Sequence, residues 1–147
     1  MPDAADRADF YEQLRKRFFS GAWTGTVGIA GLDFGEGKAV LHAVPGANLI
    51  QSQGVVQGGF LVAFADAAGS MSVLSLAERS DERVATIEIK VNFLLPVREG
   101  DRIRAEGHVV RRGRRIALAE SRVELADGRL AAQGLATFII TPANETD

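Results

Sequence analysis

One long apolar stretch constrains the fold more than any other feature of this chain. Across residues 60–77 the only formal charge is Asp66, and Gly58 and Gly59 precede the stretch. Apolar residues on nearly every side of a helix indicate that the helix is buried. Its length approaches that of a membrane span, but Asp66, its small polar residues and flanks without clustered Lys or Arg favour a protein core. We therefore predict a buried helix over about residues 58–79.

The lone carboxylate is the second informative feature. Burying Asp66 costs free energy unless the carboxylate is hydrogen-bonded or used in chemistry. The alternative to catalysis is a hydrogen bond to a neighbouring backbone group or serine. The Gly58-Gly59 start leaves backbone N–H groups free at the positive end of the helix dipole, where a developing oxyanion is stabilised. A carboxylate and an oxyanion donor in one helix point to acyl chemistry.

Length and composition exclude several classes of protein. The chain has 147 residues, 46% of them hydrophobic and 24% charged, which is typical of one globular domain. A formal net charge of −2 gives no reason to expect nucleic acid as a partner, and the absence of cysteine removes thiol nucleophiles and thiolate metal sites. The N-terminus is acidic and lacks the apolar region of a secretory signal, so we expect a cytoplasmic protein.

Strand-like patterns surround the buried helix. An amphipathic helix is predicted over residues 6–19, because Phe10, Leu14 and Phe18 share one face. A hairpin follows, with strands over 25–34 and 38–44. After the buried helix, apolar and polar residues alternate in four strands, which turn-like segments separate. These strands cover residues 85–93, 102–111, 114–125 and 129–140.

The predicted fold class is α+β. Six strands joined mainly by hairpins imply a largely antiparallel sheet, and a helix that is apolar on all sides needs that sheet wrapped around it. This is the hot-dog arrangement. We expect a helical N-terminal extension over residues 1–24, a hot-dog domain over residues 25–141 and a flexible tail over residues 142–147.

The sequence resembles the PaaI-type hot-dog acyl-CoA thioesterases from about residue 25 to residue 140. That family carries the pattern Asn-x-x-Gly-x-x-His-Gly-Gly, with an Asp nine residues after the His. Residues 51–59 here read QSQGVVQGG, and Asp66 stands in the Asp position. The three glycines and the Asp match, whereas Gln51 replaces the family Asn and Gln57 replaces the family His.

The resemblance implies roles for the matching residues. Gly58 would supply the backbone N–H that polarises the thioester carbonyl, and Asp66 would act as nucleophile or as general base on water. Gln57 can still donate a hydrogen bond through its amide, although it cannot act as an acid or base; it can also be a loop-structuring residue. Gln51 and Gly59 would contact the substrate.

Two hydroxyl residues complete the expected site. Thr86 matches a position where relatives place a hydroxyl near the attacking water, and Ser70 lies one turn beyond Asp66 on the same face of the helix. Each has a structural alternative. Thr86 suits an ordinary strand, and Ser70 suits a helix-packing position.

Helix geometry adds an expectation about assembly. Gly58 and Asp66 are eight residues apart, so a continuous helix separates them by about 12 Å along its axis. An Asp side chain cannot reach a carbonyl held at Gly58 of the same chain. We therefore expect a homodimer with two sites, each built from Gly58 of one subunit and Asp66 of the other, and a tetramer formed as a dimer of dimers.

The expected activity is hydrolysis of an acyl-CoA thioester without a metal or redox cofactor. The alternatives are a non-catalytic acyl-CoA binding or sensing module and a hydratase. The hydratase is disfavoured because it would need a His near Asp66, which this chain lacks. His42 and His108 have no metal-ligand partner at suitable spacing. The arginine-rich run over residues 111–115 is either a solvated hairpin tip or a contact for the phosphates of coenzyme A.

Overall fold

The computed structural model describes residues 4–142 of the chain. Two helices precede the sheet, α1 (Ala4–Phe18) and α2 (Trp23–Thr26), and one long helix, α3 (Gly58–Leu74), is surrounded by it. The six strands are β1 (Ile29–Gly35), β2 (Lys38–Ala43), β3 (Glu82–Phe93), β4 (Ile103–Arg112), β5 (Ile116–Leu125) and β6 (Leu130–Pro142). Apart from Pro142, which ends β6, the tail predicted to be flexible lies outside the described residues.

A single antiparallel sheet wraps around α3. Its strand order is β1-β2-β4-β5-β6-β3, and every neighbouring pair is antiparallel. Helix α3 packs against β2, β3, β4, β5 and β6, and ten of its seventeen residues are buried. The hot-dog fold and the N-terminal helix predicted from the sequence are confirmed.

The helix lies unusually close to the middle of the sheet at Gly107 of β4. A Cβ atom built on Gly107 would lie 2.8 Å from the amide nitrogen of Gly69 and closer still to the carbonyl of Ala68. Since real Cβ atoms essentially never approach another heavy atom within 3.0 Å, only glycine permits this spacing. The contact fixes the depth of α3 in the sheet two residues from Asp66.

The long helix ends earlier than residue 79, so its predicted C-terminal boundary is wrong. After Leu74 the amides of Leu76 and Ala77 bond three residues back, to the carbonyls of residues 73 and 74, which tightens the last turn. The next amide, of Glu78, donates instead to the side chain of Glu82 at 3.0 Å. That bond diverts the backbone out of the helix.

The start of the first strand was also predicted wrongly. Residues 25 and 26 belong to α2, and β1 begins at Ile29. Gly28, with φ of 78°, separates the two elements, and its amide bonds back to Gly25 rather than across the sheet. The other predicted boundaries agree with the structure to within three residues.

Candidate active site

Asp66 and Thr86, which were predicted to share the site, are in direct contact. The Thr86 hydroxyl donates a 2.6 Å hydrogen bond to Oδ1 of Asp66. Asp66 lies in the middle of α3 and is half-buried, whereas Thr86 lies on the exposed edge strand β3. The bond therefore joins the central helix α3 to β3, the strand at one edge of the sheet.

A β-bulge occurs beside this bond. Thr86 pairs with Phe138 and Glu88 pairs with Thr137, so Ile87 is an extra residue in β3. Such bulges turn side chains locally and are frequent next to active sites. Here the bulge directly follows the residue whose hydroxyl contacts Asp66.

No charged group neutralises the Asp66 carboxylate. Among residues 4–142 no Lys, Arg or His lies within ion-pair distance of it, and Thr86 supplies the one side-chain hydrogen bond it accepts. Its second oxygen, Oδ2, has no hydrogen-bond donor among these residues. A carboxylate held by one hydroxyl, with one oxygen free, is suited to accept a proton from water or to attack a carbonyl.

The start of α3 carries a second group of predicted residues. Gln57 is the N-cap residue, and its Oε1 accepts a 3.2 Å hydrogen bond from the Gly58 amide. The N–H that was predicted to polarise a carbonyl thus has a side-chain acceptor in this structure. Gly58 is also closely covered, since a Cβ atom there would lie 3.2 Å from the Phe93 ring.

A cavity of about 460 Å³ opens beside these residues. Gln51, Gln57 and Gly59 lie along it, and most of the remaining lining is apolar. We call it the helix-start cavity. Gln51 is turned toward its own loop, where its side-chain oxygen accepts a hydrogen bond from the Gln53 amide. The structure therefore brings together, at this end of the helix, the two residues that replace family motif positions, Gln51 and Gln57, and the last glycine of the motif, Gly59.

Ser70 does not join Asp66. Its hydroxyl donates to the carbonyl of Ala67 at 3.0 Å, a bond within the helix itself. The two ends of the expected site are likewise apart within one protomer, because α3 is continuous from Gly58 to Leu74. The spacing of about 12 Å between Gly58 and Asp66 therefore holds in the folded chain.

The arginine-rich run divides into two parts. Arg112 forms a largely buried ion pair with Glu82 at 2.6 Å, with side-chain exposures of 14% and 9%, and is therefore structural. Arg111, Arg114 and Arg115, the arginine tip, line a cavity of about 460 Å³ and have no acidic partner within the described part of the chain. The two predicted alternatives, a solvated hairpin tip and a contact for coenzyme A, therefore concern the arginine tip and not Arg112.

Sequence reasoning missed the contribution of the N-terminal segment to the helix-start cavity. Trp23 and Val27 line it from the N-terminal segment, more than thirty positions before Gly58. No local sequence pattern predicts such a contact.

None of the helices within residues 4–142 is long and apolar enough to span a bilayer, and no three metal-ligating side chains cluster within those residues.

Residues 53–132, more than half of the chain, match the family model described as the thioesterase superfamily. The chain belongs to this superfamily. It is also 30% identical over 105 residues to a protein of Saccharolobus solfataricus whose name classes it among the esterases, covering 71% of this chain and 73% of that protein. The protein is accordingly a thioester hydrolase.

Solved structures agree with the fold. The PaaI protein of the Escherichia coli phenylacetic acid degradation operon superposes with a TM-score of 0.81 at 18% identity, covering 90% of this chain and 94% of that one. A Streptococcus mutans protein whose structure contains acetyl-CoA superposes with a TM-score of 0.70 at 17% identity, covering 78% and 88%. The predicted resemblance to PaaI-type hot-dog thioesterases is confirmed.

Proposed function

We propose that this thioesterase hydrolyses acyl-CoA, with Asp66 as its catalytic carboxylate. The observation that carries the proposal is the Thr86–Asp66 hydrogen bond, which orients one oxygen of an otherwise unpaired carboxylate. The acetyl-CoA in a protein of the same fold supports coenzyme A as the carrier of the acyl group. The arginine tip, which has no acidic partner among residues 4–142, supplies charge suited to the phosphates of that carrier.

The reaction adds water across the thioester. Asp66 either removes a proton from water, whose oxygen then attacks the carbonyl carbon, or attacks that carbon itself to form an anhydride that water cleaves. In both routes the C–S bond breaks, the thiolate takes up a proton, and free acid and coenzyme A result. The Gly58 N–H, once released by Gln57, stabilises the oxyanion. Label found on Asp66 after single-turnover hydrolysis in H₂¹⁸O would require the anhydride route, with water attacking the carboxyl carbon of Asp66.

The site is shared between two copies of the chain. One protomer cannot bring Asp66 to Gly58, but its surface is suited to pairing. Within residues 4–142 the outer edge of β3 has no neighbouring strand, and Ile87, Phe93 and Leu94 are each more than half exposed along and just after it. Pairing of two β3 edges would extend the sheet and bury these apolar groups. Two such dimers would form a tetramer.

The direct test compares Asp66→Asn with the wild type in an assay of thiol release from acyl-CoA. The substitution keeps the shape of the side chain and removes the base, so kcat should fall by about 10²–10⁴-fold while acyl-CoA still binds. Asp33→Asn is the matched control, because Asp33 is a well-exposed Asp on β1. A rate that survives Asp66→Asn would remove Asp66 from the mechanism. Binding without wild-type turnover would instead indicate an acyl-CoA binding module.

Mixing two inactive variants tests the shared site. Gly58→Val and Asp66→Asn each damage a different half, so a mixed dimer regains one site with Gly58 and Asp66 intact. Random exchange of an equimolar mixture should restore about a quarter of the wild-type activity, since half of the dimers are mixed and each holds one working site. If each chain carried its own complete site, the mixture would stay inactive.

A further inference from the structure

Trp23 occupies an unusual place in this thioesterase. It is the only tryptophan in the chain, and it lies in α2, outside the residues that match the family model. Its ring packs edge to face against the Phe18 ring, with 6.5 Å between the two ring centroids, and Trp23 is 44% exposed. A large aromatic ring held in place but half uncovered is suited to contact a ligand.

The segment that carries Trp23 is fastened to the loop preceding α3. The side-chain amide of Asn48 donates a 2.8 Å hydrogen bond to the carbonyl of Thr26, the last residue of α2. The Thr26 hydroxyl donates in turn to the carbonyl of Ala22 at 2.9 Å. These bonds hold the indole over the helix-start cavity rather than leaving it on a free N-terminal arm.

The lining of the helix-start cavity indicates the chemistry of its ligand. Its apolar wall consists of Trp23, Val27, Leu49, Ile50, Phe60 and Ala63. Its polar residues are the uncharged Asn48, Gln51 and Gln57, and no charged side chain of the described residues lines it. At about 460 Å³ it has the size of a small-molecule pocket. A ligand group with its own charge would lose hydration there without gaining a partner.

We propose that the helix-start cavity binds the acyl group of the substrate and that Trp23 is the specificity-determining residue that selects uncharged, apolar acyl groups. This inference rests on the proposed function, which places the thioester carbonyl at Gly58. Gln57 and Gly59 lie both at the helix start and along the cavity. Gly58 itself lines a different cavity, beside Phe93, so an acyl chain leading away from a carbonyl at Gly58 would pass Gln57 and Gly59 to reach the apolar space bounded by Trp23.

Trp23 fluorescence tests occupancy of the cavity without any requirement for turnover. Hexanoyl-CoA is titrated into the Asp66→Asn variant, which holds the substrate unchanged, and coenzyme A alone serves as the control ligand. Because no other tryptophan contributes, an acyl chain against the indole should shift or quench the emission, while coenzyme A alone should leave it unchanged. Unaltered emission at hexanoyl-CoA concentrations that saturate binding by calorimetry would overturn the inference.

Substitution of Trp23 tests whether this residue selects among acyl groups. Trp23→Ala should lower kcat/KM for hexanoyl-CoA by about tenfold or more and leave acetyl-CoA within about twofold, because the acetyl group is too short to reach the wall. Trp23→Phe should restore most of the loss. Wild-type enzyme should discriminate against succinyl-CoA, because its free carboxylate would lie against the apolar wall. Equal losses for hexanoyl-CoA and acetyl-CoA would contradict the assignment.

The two proposals fail in different ways. An emission change with hexanoyl-CoA but no hydrolysis would refute the acyl-CoA thioesterase function and retain the acyl site. Hydrolysis that depends on Asp66 but shows no response of Trp23 emission or of acyl preference would refute the acyl site and retain the function.

Discussion

The depth of α3 in the sheet should be limited by the backbone of Gly107. The perturbation is Gly107→Ala. The added carbon would lie 2.8 Å from Gly69 N, whereas ordinary contacts begin near 3.4 Å. Helix and strand must therefore separate by at least about 0.6 Å, and by more at the nearer Ala68 carbonyl. The atoms in conflict belong to two backbones, so no side-chain rotation relieves the contact.

The expected loss lies at the upper end of that for overpacked cores, about 3 kcal/mol in the free energy of unfolding. For a chain of this size the corresponding fall in Tm is about 6–12 °C, measured by circular dichroism at fixed protein concentration. We also expect the hydrolysis rate of the folded variant to fall by up to about 10²-fold, because Asp66 moves with the helix and a displacement of about 1 Å can have an effect of that size.

Gly134→Ala is the matched control. Gly134 lies in β6 of the same sheet and its added carbon would meet Val91, Lys90 and Ala65 at 3.4–3.7 Å, which is ordinary contact. This variant should melt close to the wild type. If Gly107→Ala also melted within about 2 °C of the wild type, the backbone contact would not set the depth of the helix.

Three further outcomes are expected. Arg112→Ala should lower the free energy of unfolding by about 3 kcal/mol, because it leaves the Glu82 carboxylate without its partner in a largely buried site; urea unfolding measures this, and a change below 1 kcal/mol would contradict it. The double variant Arg114→Ala/Arg115→Ala should raise KM for acyl-CoA with kcat and stability unchanged; an unaltered KM would indicate that these arginines form only a solvated hairpin tip. Gln57→His should introduce a titration near pH 6.5 into the kcat/KM profile that the wild type lacks; identical profiles would exclude a proton-sensitive role at this position.

Elements with a strong local pattern were predictable from the sequence. The start of α3 follows from two glycines and the sudden loss of charge, and the four C-terminal strands follow from their period of two. Helix α2 has only four residues, too few for a period to be read. Its position depends instead on Asn48, twenty-two residues beyond its last residue, Thr26.

The candidate site was predictable only in part, for a similar reason. Asp66 stands out because it is the one charge in an apolar helix, and the family resemblance points to Thr86. The bond from the Gly58 amide to Gln57 depends on a side-chain rotamer that no sequence pattern specifies. The Trp23 wall depends on how the N-terminal segment crosses the loop before α3, which is tertiary structure.

The edge position of β3 has a consequence for how heat inactivates the enzyme. In the described part of one protomer, β6 is the one strand to which β3 is hydrogen-bonded, and a strand secured on one side opens at a lower free energy than the middle of the sheet. Its Thr86 hydroxyl orients Asp66, so opening β3 releases the carboxylate while the core is still folded. With Asp66 as the proposed catalytic carboxylate, we therefore expect activity to be lost at the temperature where this strand detaches, below the temperature at which the core melts. The interval between those two temperatures should narrow as protein concentration rises, because the proposed pairing with a second copy along β3 would secure its open side.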